Sequence, residues 1–337
     1  MKTIPWLMAV CIMLFVSLFS VRAHAGEVVI YTSLDQIYSE PVLKDFEQQA
    51  GIKVKAVYDV EAAKTLGLVN RLLAEKDRPK CDVFWNSEIG RTITLKQKGI
   101  LAPYRSPSAK DIPEQFQDPE AYWSGFAGRA RVLIYNTDLL KDEEAPKSIF
   151  ELTEARWRGK VALSYPLFGT TATHVAAWYS VLGKEKTEAY LKALKDNDVV
   201  IVDGNSVSRD VVVEGQLPIA FTDTDDVNMA IQAGKPVKMI FPDKDGIGTL
   251  FFPNTVALIR GAPHPEEAKK LIDYLLGKEV ESRLAFSESA QIPLRDDVAR
   301  PAQVPVFSTI KAMAVDYEKM EVWMEVGARF CQKLFVR

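Results

Sequence analysis

Three aspartates fall within four consecutive positions, Asp223, Asp225 and Asp226, in the run Thr222-Asp223-Thr224-Asp225-Asp226. The run follows the short apolar segment Ile219–Thr222 and precedes Val227–Ala233, whose apolar residues recur at helical spacing. It therefore sits at a strand end and a helix start. Asp and Thr are favoured caps, and acids favour the positive end of the helix dipole. One cap uses one or two such residues and leaves an aspartate over. Crowded carboxylates raise one another's pKa, and a bound cation relieves the repulsion. Their hard oxygen donors suit a hard metal ion. Cap and cation site both stay open at this level.

The rest of the chain offers little for catalysis. Beyond residue 25 the histidines are His174 and His264, and there is no HExxH, GxSxG or Walker loop. Gly246-Ile247-Gly248 lacks the third glycine and following helix of a nucleotide site and reads as a turn. His264 lies between Pro263 and Pro265 at a helix entry, and His174 in the first turns of a helix, so both read as structural. No nucleophile is visibly paired with a base, which leaves a secreted enzyme as the remotest reading.

Alternating elements must position the acidic run. Glu27–Tyr31, Ile52–Tyr58 and Cys81–Trp85 read as strands, interleaved with helices at Pro41–Gln49, Ala62–Glu75 and Thr92–Lys98. This βαβαβα rhythm implies a parallel sheet with helices on its faces. A second unit follows. Its strands are expected at Arg131–Tyr135, Lys160–Ser164, Val199–Val202, Ile219–Thr222 and Thr255–Ile259, and its helices at Thr171–Leu182, Val227–Ala233 and Pro265–Leu276. Two α/β units predict two lobes around a cleft lined by strand-end loops.

The N-terminus reads as an export signal. Lys2 precedes the apolar run Ile4–Val21, and Ala23 and Ala25 stand at the −3 and −1 positions of a cleavage site. Cleavage before Gly26 would deliver a periplasmic protein of about 310 of the 337 residues, enough for two domains. With 42 Lys+Arg against 45 Asp+Glu and no basic block, nucleic acid is not an expected partner. Cys81 and Cys331 have no CxxC or Cys/His neighbour, so they are expected to be buried small side chains or one disulfide.

A set of short segments, in order, carries a resemblance. It comprises Val29-Ile30-Tyr31, Phe46-Glu47-Gln48, Gly51-Ile52-Lys53-Val54, Asp82-Val83-Phe84-Trp85, Gly128-Arg129-Ala130-Arg131-Val132, Trp157-Arg158-Gly159-Lys160, Gly215-Gln216-Leu217-Pro218 and Ile292-Pro293-Leu294-Arg295. In these the chain resembles the periplasmic iron(III)-binding-protein-like solute-binding proteins of bacterial ABC importers. The resemblance implies a type 2 periplasmic-binding-protein fold: α/β, two-lobed, with mixed, mostly parallel sheets, helices on both faces and a hinge between lobes. It implies an N-terminal lobe of residues 26–130 and 247–295 and a C-terminal lobe of 131–246 and 296–337. It also implies a monomeric, non-enzymatic protein without a cofactor, which takes a small ligand or metal ion and passes it to a membrane permease.

Site residues carried over by the resemblance depart from the ferric pattern. Asp35 stands where such members place a histidine. Glu88 answers to their glutamate one position late, with Ser87 at the matching offset. Asp225 and Asp226 stand at their two tyrosines, so a ferric-tyrosinate site does not carry over. Together with Asp223, these residues form the expected cation site, and Asp35, Glu88, Asp225 and Asp226 are its expected metal ligands. Trp85 and Tyr31 are candidates to stack an organic cation. The alternative ligand is an anionic or phosphorylated solute. Thr170 and Thr171 at the helix start Gly169–Ala172, Asn205, and the forked donors of Arg129 and Arg131 are its candidate contacts. A plain helix cap at Gly169–Ala172 and an ion pair at one arginine compete with that reading.

Overall fold

The computed structural model describes residues 26–59, 66–167 and 169–335; the expected leader and the start of the helix at Ala62 lie outside them. Ten strands run in the order β2-β1-β3-β10-β5-β8-β6-β7, with β4 on β10 and β9 on β5. β1 (Glu27–Thr32), β2 (Lys53–Tyr58) and β3 (Val83–Asn86) are parallel, as are β6 (Val161–Ser164), β7 (Val200–Val202) and β8 (Ile219–Asp223). The linking strands are antiparallel to their neighbours: β5 (Ser124–Asn136) and β10 (Phe251–Ile259), with the short β4 (Leu101–Ala102) and β9 (Val237–Ile240).

β5 joins the two halves. Its residues up to Ala130 pair with β10, and from Arg131 onward they pair with β8 and β9. The segment read as one short strand, Arg131–Tyr135, is thus the second half of a 13-residue strand. Gly128 is packed too tightly for a side chain. A Cβ there would lie 2.5 Å from the Phe251 ring and 2.8 Å from the Phe252 carbonyl. Its backbone exchanges two 2.8 Å hydrogen bonds with Ile292. Arg295 pairs with buried Glu281 at 2.8 Å, and Glu281 accepts the N–H groups of Ala127 and Leu294. Two of the recognised segments, distant in sequence, are therefore one structural unit at the strand crossing.

Helices flank both halves. α1 (Gln36–Ala50), α2 (Leu66–Ala74) and α3 (Gly90–Gln97) belong to the first, with α8 (Pro265–Leu275) and α9 (Lys278–Phe286). α4 (Gly169–Leu182), α5 (Lys184–Asp196), α6 (Asn205–Val213) and α7 (Thr224–Gln232) belong to the second. α10 (Tyr317–Leu334) packs on α4, α5 and α3, with Trp323 stacked on Tyr179 at 5.2 Å. Before it, Phe307 packs on Phe116 and Phe251 of the first half. α1 begins five residues before the expected start, with Pro41 inside it. Proline removes one internal hydrogen bond but is outweighed by burial of Val42, Leu43 and Phe46. Cys81 and Cys331 are both free and buried.

Candidate functional site

β8 ends at Asp223 and α7 starts at Thr224, so Asp225 and Asp226 occupy the first helical turn. The three carboxylates come together: each offers an oxygen, and those oxygens lie within 4.8 Å of one another. Among the described residues this is the group of acids so placed, and neither Asp35 nor Glu88 belongs to it. Asp223 does not cap α7 through its side chain.

Each carboxylate has a basic neighbour. Arg131, 1 % exposed, donates from Nη1 to Asp223 at 2.6 Å, Asn205 at 2.9 Å and Thr170 at 3.2 Å, and from Nη2 to Thr171 at 3.3 Å. Arg129 donates to Asp225 at 2.9 Å and to the Ser87 carbonyl at 3.2 Å. Asp226 accepts from the Thr222 hydroxyl at 2.9 Å, with Arg209 at 3.6 Å. Thr170, Thr171, Asn205 and Arg131 are thus assembled with the acids into one network. Within it the second oxygen of Asp225, Oδ1, is buried with no hydrogen-bond donor. Burial, reinforced by the charges of Asp225 and Asp223, pushes the Asp226 carboxyl up to about 7.

The other expected contacts lie elsewhere. Trp85 does not face the cleft. It is fully buried, with its indole N–H on Asn254 at 3.3 Å and its ring on Phe126. Tyr31 is likewise buried, its hydroxyl on Glu75 at 2.9 Å and Arg71 over its ring. β1 and β3 lie inside the sheet, and from Ile30 onward in β1 and throughout β3 the residues of both faces are buried. Glu88 turns onto the start of α3, where it accepts the N–H groups of Gly90 at 2.7 Å and Arg91 at 3.0 Å; Thr173 of the second half is 3.4 Å away. His174 is buried against Trp178, and burial together with the Arg131 charge holds its imidazole well below its ordinary pKa.

Asp35 directly precedes α1, and the first turn of that helix carries a residue the sequence reading passed over. Burial, then the charges of Asp225, Asp35, Glu288 and Asp226, push the Tyr38 phenol up to about 12. Tyr38 therefore stands among acids contributed by both halves. Starting the helix at Pro41 hid it; starting at Gln36 puts it beside Asp35.

Comparison with known proteins follows the same architecture. The family described as bacterial extracellular solute-binding protein matches residues 89–321. Iron uptake protein A1 of Synechocystis is 26% identical over 288 residues, 81% of this chain and 79% of that protein. A Salmonella typhi protein named for 2-aminoethylphosphonate binding is 30% identical over 263 residues, 76% of this chain and 73% of that protein. Iron-bound HitA from Pseudomonas aeruginosa superposes with a TM-score of 0.80 at 20% identity, over 92% of this chain and 100% of that one. The chain belongs to the bacterial extracellular solute-binding protein family.

Proposed function

We propose that this solute-binding protein captures a hard metal cation on Asp223, Asp225 and Asp226, between its two lobes, and presents it to a membrane permease after the lobes close. One observation carries the reading: Asp225 Oδ1 is a buried carboxylate oxygen without a donor, beside two further carboxylates. Leaving such an oxygen unpaired is costly, and a cation satisfies it. Relatives named as ferric iron-binding proteins support ferric iron as the ion. We place the protein in the periplasm, cleaved before Gly26, on the leader pattern and on relatives named as periplasmic. The hinge is assigned to Ala130–Arg131, where β5 changes partners, and to the return segment 241–250.

A specific observation favours a second reading. Arg129, Arg131 and Arg209 stand beside the three acids, so the site presents both signs of charge. A small solute with an ammonium and a phosphonate group would meet both, and the relative at 30% identity is named for such a solute. Native mass spectrometry of the mature protein, followed by calorimetric titration with ferric citrate and with 2-aminoethylphosphonate, separates the two. Heat with ferric citrate and none with the phosphonate is expected. The reverse result would replace the metal reading by the second one.

A further inference from the structure

The Asp223 carboxylate lies in a ring of side-chain donors. Its Oδ2 accepts from the Thr170 hydroxyl at 2.8 Å and the Asn205 amide at 3.0 Å, and its Oδ1 accepts from Arg131 at 2.6 Å. Thr170 and Asn205 lie in the first turns of α4 and α6, so side chains from two helix starts converge on this carboxylate. Positive dipole ends, a guanidinium fork and hydroxyl and amide donors are the equipment of an anion site. The ion pair at its centre is buried, with Asp223 2 % and Arg131 1 % exposed. It holds a donor that the carboxylate does not use, since Arg131 Nε is buried with no acceptor.

We propose that Asp223 is the protein's own anion: its carboxylate occupies an oxyanion pocket, shuts out free oxyanions, and lets the cargo bind without a separate co-bound anion. A carboxylate on the chain is present at every binding event, whereas a free anion must be captured and ordered each time. Held by Arg131 on one side, Asp223 still offers an oxygen to the carboxylate group it shares with Asp225 and Asp226.

Removing the carboxylate should create a vacancy for a free one. Asp223→Ala leaves the Arg131 charge buried and unpaired, so the variant is expected to be markedly less stable. Formate, which matches the deleted group, should restore it. The expected result is a melting temperature that rises by about 2 °C or more per tenfold increase in sodium formate above saturation, at constant ionic strength made up with chloride. Wild type and the volume-matched Asp223→Asn should show no such rise. A flat response in Asp223→Ala, an equal response in wild type, or failure to fold even in formate would each overturn the proposal.

The cargo arm uses ferric citrate and rests on the metal reading above. Asp223→Ala should bind at least tenfold more tightly with formate than without, while wild type is indifferent to formate. If neither protein takes iron yet formate still stabilises the variant, the metal reading fails and the built-in anion stands.

Discussion

Arg129 donates to Asp225 at 2.9 Å although the two residues are held by different halves of the sheet. Arg129 is paired with Phe252 of β10, and Asp225 stands on α7 behind β8. The guanidinium also lies over the Phe252 ring and reaches the Ser87 carbonyl, so it is fixed from the first-lobe side. An acid at the start of α7 therefore meets a guanidinium held by the β10-paired half of β5, beside the strand crossing.

The paired change Asp225→Asn and Asp226→Asn should weaken ferric citrate binding at least about tenfold, roughly 1.4 kcal/mol. Stability of the unliganded protein should move by no more than about 1 kcal/mol, because the lost Arg129 pair is partly solvated and repulsion is relieved. Calorimetry and urea unfolding on the same preparation check both halves. Unchanged or tighter binding would rule out these carboxylates as cation ligands.

Asp226 should make stability depend on pH in an unusual direction. Unfolded, its carboxyl titrates near 3.9; folded, it is pushed up to about 7 by burial and by Asp225 and Asp223. Between those values the folded chain keeps a proton that the unfolded chain has released. Its contribution is complete below about pH 4 and is lost as pH rises through about 7. Melting curves from pH 4 to 8 should show this loss in wild type and not in Asp226→Asn. Cation binding should tighten over the same rise, as the competing proton leaves.

Closure about the β5 crossing should make the cargo-bound protein more compact, which solution scattering with and without ferric citrate reads directly. An unchanged radius with bound cargo would argue against a hinge there. Gly128→Ala should cost about 1–3 kcal/mol in chemical unfolding, since the new Cβ meets the Phe251 ring and the Phe252 carbonyl.

Cys81 and Cys331 should stay silent in the native protein. Both are free and buried; burial pushes the Cys81 thiol well above its ordinary value and Cys331 up to about 12. Neither should react with a thiol reagent at pH 7 until the protein is unfolded in urea, when both should. Rapid labelling of native protein would contradict the packing of β3 and α10.

Residue order alone determined the alternation of strands and helices and the placement of an acidic run between a strand and a helix. These are local properties: periodicity over a dozen residues and chemistry over five. The same order counted Thr255–Ile259 and Pro265–Leu276 with the second unit, whereas β10 pairs with β3 and α8 packs on β1 and β10. Which groups those acids meet was decided only by the tertiary structure. Asp223 finds Arg131, Thr170 and Asn205 because β5, α4 and α6 converge at the end of β8, over sequence separations of 92, 53 and 18. Trp85 and Tyr31 looked accessible because an aromatic at a strand end reads the same whether one face of the sheet is covered or both. Glu88 satisfies a helix start two residues away, a local bond that competes with any cleft role and leaves no mark in composition. Tyr38 escaped notice because Pro41 reads as a helix start, whereas packing of Phe46 and its neighbours carries α1 back to Gln36. Helical and strand periods depend on neighbours along the chain, while charge pairing depends on distances across it, and only the packed sheet sets those.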